Sequence, residues 1–149
     1  MIEWRKICAL ILRKSSFKTA EIYIILFCWC EAMPLIKVQT SIERIDKSEA
    51  EALLQRLSSA LAKHLSKPES YVMTALEPGV LMTFAGNLAP TCYVEIKSVG
   101  TMKPEQTKAM SQVFCQEISQ ALGVDKNRIY IEFADAKGFM WGWNSSTFG

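Results

Sequence analysis

One histidine, five cysteines with no C-x-x-C spacing among them, no glycine-rich phosphate loop and no Lys/Arg stripe characterise these 149 residues. Each absence removes a class of function. With His64 alone, a catalytic triad or a histidine-based metal site lacks a second member, and the place of His64 beside Lys63 near a helix end reads as surface. Cys8, Cys28 and Cys30 precede residue 33, so the rest of the chain keeps only Cys92 and Cys115, too few for the disulfide framework of a small secreted domain. Those two read as reduced, mostly buried thiols, and Cys28-Trp29-Cys30 has the wrong spacing for a thioredoxin-like pair. The apolar run Ile22–Cys30 falls short of the ~20 residues that a membrane-spanning helix requires, so no stable membrane insertion is expected. Seventeen basic and fifteen acidic residues give a net charge of +2, and the excess lies in residues 1–33. A neutral body argues against nucleic acid as a partner, because phosphate binding needs clustered positive charge.

What is present is a chain that is half hydrophobic and long enough for one domain with a buried core. From Pro34 onward, "PLIKVQTS" alternates as a half-buried strand. "DKSEAEALLQRLSSALAKHL" carries Leu53, Leu54, Leu57, Leu61 and Leu65 at helical spacing, with Ser48 and Glu51 as a capping box. Tyr71–Leu76 reads as the next strand, Glu77–Val80 as a tight turn, and "LMTFAG" as a hairpin arm or short edge strand. The pattern then repeats: a strand over Cys92–Val99, a helix from near Pro104 to a stop at Gly123, and a strand over Ile129–Phe133. Two strand-helix-strand units predict an α+β domain: duplicated β-α-β units forming a four-stranded mixed sheet, two helices on one face, and short edge strands. Apolar residues outnumber what two helices can bury, so self-association through the bare sheet face is expected.

Residues 1–33 stand apart. A basic front part, the Ile22–Cys30 run, and the small residues Cys30 and Ala32 fit a weak signal peptide; Glu3, Glu21 and the length of the front part speak against one. Three routes stay open: translation that begins at Met33, a cleaved leader, or a retained extension. The division expected is an extension over residues 1–33 and a domain over 34–149, in a protein that is cytoplasmic or exported by a non-classical route.

Several features coincide in a known family. Pro34 directly after a methionine, Lys67-Pro68, Ser98-Val99-Gly100 closing a strand, Tyr130 in "RIYIEFAD", and the tail "GWNSSTF" over Gly142–Phe148 together resemble the macrophage migration inhibitory factor family of the tautomerase superfamily. The resemblance runs from Pro34 to Gly149. It implies a homotrimer with active sites at subunit boundaries, a small enol or keto acid as substrate, no metal and no cofactor. It also allows a receptor or other protein partner.

That resemblance gives the leading proline a chemical meaning. Within a chain its nitrogen is an amide, whereas at a free N-terminus it is a secondary amine able to act as general acid and base. By resemblance, Pro34 and Lys67 are catalytic, with Lys67 pairing with the substrate carboxylate or developing enolate. The alternative for Lys67 is a solvated cation at a helix end. Val99 matches the position whose backbone N–H donates to substrate. Tyr130 would reach in from a neighbouring subunit, or else be a core tyrosine. Trp143 and Phe148 would rim the pocket, or pack at a subunit contact. Two positions depart from the family. Glu132 stands where the mammalian cytokine members carry asparagine, placing a negative charge near the mouth, and Trp141 replaces a smaller apolar residue, narrowing the pocket or making its edge more aromatic. The C-x-x-C of some relatives falls on Thr91–Val94, which has cysteine at neither end, so their oxidoreductase activity is not implied. Asn144-Ser145-Ser146 fits a glycosylation acceptor and is read as turn chemistry. Two functions of different class follow: a keto–enol tautomerase of the phenylpyruvate or dopachrome type, and a cytokine-like binding module whose pocket is vestigial or blocked by the extension.

Overall fold

A computed structural model of the protein describes residues 33–149. The expectations for the preceding extension, including its apolar run and its cysteines, lie outside the described residues.

The first strand, β1 (Pro34–Thr40), alternates strictly between buried and half-buried residues, with Ile36 and Val38 fully enclosed. Helix α1 (Lys47–Leu65) follows and buries Leu53, Leu57, Leu61 and Leu65, one stripe at four-residue spacing. Its cap is not the expected Ser48/Glu51 box. Asp46 is the N-cap, and its carboxylate accepts the Ser48 N–H at 2.8 Å and the Ser48 hydroxyl at 2.5 Å. An ionised acceptor one residue before the helix satisfies the orphan donors first, and these bonds hold the Asp46 carboxyl below its ordinary pKa. The helix ends at Ser66, in the left-handed conformation with φ 55°.

The second strand starts later than expected. Glu69–Tyr71 forms a 3-10 turn in which Tyr71 N–H donates to Pro68 C=O at 3.2 Å and Val72 N–H to Glu69 C=O at 2.9 Å. With those donors committed, β2 spans Met73–Glu77 and pairs parallel to β1. "LMTFAG" forms no hairpin with it. The amides of Gly79 and Val80 bond instead to the carbonyls of Ile42 and Thr40, carrying the chain along the end of β1, and the loop beyond closes only a local Phe84–Asn87 bridge.

The second unit repeats the first. Strand β3 (Cys92–Val99) pairs antiparallel to β1, and α2 (Pro104–Leu122) begins at proline and stops at Gly123, whose φ of 66° suits a residue without Cβ. Strand β4 (Ile129–Ala136) runs parallel to β3 and continues past the expected end at Phe133. The sheet order β2-β1-β3-β4 therefore joins two β-α-β units along their first strands, giving the mixed sheet that the duplication predicts. The core lies between helices and sheet, with Leu53, Leu57 and Leu61 from α1, Met110, Phe114 and Ile118 from α2, and Ile36, Val38, Val94 and Ile96 from the strands. His64 is half-buried rather than a surface residue, its ring edge-on to Phe114 with centroids 6.4 Å apart.

The other sheet face is mixed: Leu35, Met73 and Tyr130 share it with a set of polar pairs. Lys37 pairs with Glu77 at 2.9 Å, Lys97 with Glu95 at 2.9 Å, Gln39 donates to Glu77 at 2.6 Å, and Tyr93 donates to Glu132. Each helix buries a stripe spanning most of its length against the opposite face. Lys37 holds the Glu77 carboxyl below its usual pKa, and Glu95 raises that of Lys97.

A small hairpin, β5 (Gly142–Trp143) and β6 (Ser146–Thr147), turns through Asn144 and Ser145 at φ 48° and 63°. Two successive positive φ values belong to a tight hairpin turn, the role read for Asn144 in the sequence.

Phe114 is fully enclosed and touches core contributed by both units. Phe114→Ala is expected to cost about 3–5 kcal/mol in urea unfolding at fixed protein concentration. A loss below about 1 kcal/mol would contradict this packing.

Candidate active site

The antiparallel seam between β1 and β3 sets Pro34 directly opposite Ser98. Proline suits a strand's first position because it has no N–H to give the ladder. Pro34 is buried there. Lys67 follows the end of α1, its backbone N–H held by Ala62 C=O at 2.9 Å, and its side chain crosses to β3. The ammonium donates to Ser98 Oγ at 2.7 Å and to Val99 C=O at 2.5 Å. Pro34, Lys67, Ser98 and Val99 therefore converge at one end of the sheet.

Aromatic side chains gather at the same end. Met73 of β2 is in register with Leu35, so the Lys67–Tyr71 segment before it lies level with the start of β1. Val99 is in register with Ala136, so the chain leaving β4 emerges there too. Trp143 meets Tyr71 edge-on with ring centroids 5.9 Å apart and stacks on Phe148 at 6.2 Å. Tyr71 is a member that sequence reasoning missed. Its signal was its position four residues after Lys67. Trp141 is half-buried, and its carbonyl accepts the Phe148 N–H at 3.3 Å. Gly138 allows this closure: a Cβ there would stand 2.8 Å from Phe148 C=O.

Tyr130 and Glu132 are placed elsewhere. Tyr130 pairs with Tyr93 and Glu132 with Glu95, five and three residues along β3 from Ser98. At ~3.3 Å per residue, Tyr130 lies roughly 16 Å along the strand from the Pro34 end of its own chain. It is 66% exposed on the open face. Glu132 accepts the Tyr93 hydroxyl, and this bond to a carboxylate pushes the Tyr93 pKa up to about 12.

Among the described residues Cys92 is buried and Cys115 half-buried, both free, and burial raises both thiol pKa values, so each is a neutral thiol near neutrality. Cys115 lines a groove with Val113, Gln116 and Lys126 that shares no residue with the Pro34 cluster.

The sequence profile of the macrophage migration inhibitory factor (MIF) family matches residues 33–149. The chain belongs to that family. The factor from Meriones unguiculatus is 34% identical over 116 residues, covering 78% of this chain and 99% of its own length. A Brugia malayi homologue is 34% identical over 117 residues, covering 78% of this chain and 100% of its own. In the solved structures, a MIF homologue from Prochlorococcus marinus superposes with a TM-score of 0.73 at 51% identity, covering 77% of this chain and 99% of its own. Whole members of the family thus correspond to the described portion alone. Among the described residues no helix is long and apolar enough to cross a membrane.

The Tyr93–Glu132 bond makes a spectroscopic prediction. In absorbance titration, one phenol should ionise near pH 12, above the ordinary value of about 10, and Glu132→Gln should bring it down. A Tyr93 phenol that ionises with the others would show that the bond is absent in solution.

Proposed function

We propose that the domain over residues 34–149 is a keto–enol tautomerase of the phenylpyruvate or dopachrome type, assembled as a homotrimer and active when Pro34 is the first residue. The observation that carries this reading is the convergence of Pro34, Lys67 and Val99 at one sheet end, walled by Tyr71, Trp143 and Phe148.

A free Pro34 nitrogen would be a secondary amine, and an α-amino group titrates near ~8 in water. Burial of Pro34 and the positive Lys67 side chain anchored on its cross-strand neighbour Ser98 both disfavour the cation. The neutral amine then accepts the proton α to the substrate carbonyl, and the resulting ammonium returns it to the other end of the enol system. Lys67 is fixed to β3 by Ser98 and the Val99 carbonyl, which places its charge at the Pro34 end, and it is assigned to the substrate carboxylate or developing enolate. The Val99 backbone N–H is assigned to the substrate oxygen. Trp143 and Phe148 form the apolar rim, with Trp141 at its edge.

Tyr130 and Glu132 cannot serve the Pro34 end of their own chain at the distance described. Their exposure on the open sheet face fits donation to a neighbouring subunit's site, and the trimer is assigned from family membership. With residues 1–33 attached, Pro34 is an amide, and the chain is left with recognition of a receptor or other protein partner as its function.

The test uses two forms. A chain that begins at Pro34 should tautomerise phenylpyruvate, and Pro34→Gly in that form should lower kcat/KM by about 10²–10⁴. The full chain should show no turnover; equal turnover with and without residues 1–33 would defeat the proposal. Binding of a partner that survives Pro34→Gly would establish the recognition role separately. Glu132 gives a further prediction: Glu132→Asn should lower KM for phenylpyruvate on the order of fivefold by removing a partly solvated like charge, leaving kcat nearly unchanged. An unchanged KM would remove Glu132 from the pocket mouth.

A further inference from the structure

Tyr130 has one conspicuous support. Its ring packs against Phe84 with centroids 4.8 Å apart and planes tilted 59°. Phe84 belongs to the loop between β2 and β3, which has few regular backbone bonds of its own beyond the Phe84–Asn87 bridge. Arg128 secures that loop. Its Nε donates to Pro90 C=O at 2.8 Å, Nη2 to Ala89 C=O at 2.8 Å and Nη1 to Phe84 C=O at 3.5 Å. The same guanidinium lies 5.2 Å from the centroid of the Phe84 ring. One planar fork thus fixes both the backbone and the ring of the residue that braces Tyr130.

The sequence separation matters. Arg128 stands two residues before Tyr130, at the end of the 3-10 turn Lys126–Arg128 that starts β4. The strand places Tyr130 on the open face, where the residue is 66% exposed and core packing does not fix its rotamer. Phe84 supplies that restraint from the side, and Arg128 ties the restraint to the root of the same strand.

We propose that Arg128 and Phe84 are positioning residues for Tyr130: they hold the tyrosine in the direction from which it enters a neighbouring subunit's pocket. This rests on the function proposed above, in which Tyr130 walls that pocket. Neither residue touches substrate. Their effect is to spare the tyrosine the ordering that binding would otherwise demand.

A double-mutant cycle in the chain that begins at Pro34, the portion equivalent to whole relatives, tests it with phenylpyruvate. Phe84→Leu is expected to reduce kcat/KM on the order of tenfold, chiefly through KM, while Phe84→Tyr keeps the ring and the activity. Arg128→Lys, which keeps the charge and loses the fork, should give a similar loss. In a Tyr130→Ala background both losses should disappear, because there is no ring left to hold. Losses that persist in full in that background overturn the inference while leaving Tyr130's own role standing. An unaffected kcat/KM in Tyr130→Ala alone overturns both the inference and the placement of Tyr130 in the site. Melting and sedimentation of each variant accompany the cycle. A Phe84→Leu variant that fails to assemble hands the decision to Arg128→Lys, whose unchanged KM would also overturn the proposal.

Discussion

The structure depends on the seam where β1 and β3 run antiparallel. Each strand begins a β-α-β unit, and joining them edge to edge lets both crossover helices cover one face of a continuous sheet. The seam also fixes the register that sets Pro34 opposite Ser98. A slip by one residue would turn Ile36 and Val38, now enclosed, toward the open face and move Pro34 away from Lys67's anchor. Fold stability and site geometry thus rest on the same alternation of apolar and polar residues along one strand.

The two ends of the sheet have different roles. At the Pro34 end, a buried proline, an anchored ammonium and three aromatic rings come together. Toward the other end, Tyr130 and Glu132 stand on the open face, backed by Phe84 and Tyr93. On the proposed function, Pro34 lies at one end while Tyr130 and Glu132 project outward at the other, an arrangement suited to sharing sites between copies. The polar pairs across the open face fit that use: they favour a solvated surface over a dry sheet-on-sheet interface, so any association would be governed by edges and loops.

Much of the fold was legible because burial imposes periodicity. The strict alternation of "PLIKVQT" and the leucine stripe from Leu53 to Leu65 admit few other structures, and Pro104 and Gly123 bracket α2 by the chemistry of their own backbones. The candidate site was legible at Pro34, Lys67 and the aromatic tail because those residues form an uncommon combination. What escaped the sequence was decided by partners far along the chain or by small energy differences. Asp46 displaced Ser48 as cap because either residue type can serve. Val72 and Tyr71 gave their amides to a 3-10 turn, shortening β2. Gly79 and Val80 bonded to the end of β1, so "LMTFAG" became a loop. Arg128's grip on a loop some forty residues earlier has no local signature at all.

On the proposed function, a terminal Pro34 nitrogen is mostly unprotonated at neutral pH because of its burial and the cation anchored beside it. NMR titration of that ring nitrogen, in the chain that begins at Pro34, addresses this most directly. The expected apparent pKa lies clearly below the ~8 of an ordinary α-amino group. A value at or above it would contradict the proposed base and the role given to its surroundings.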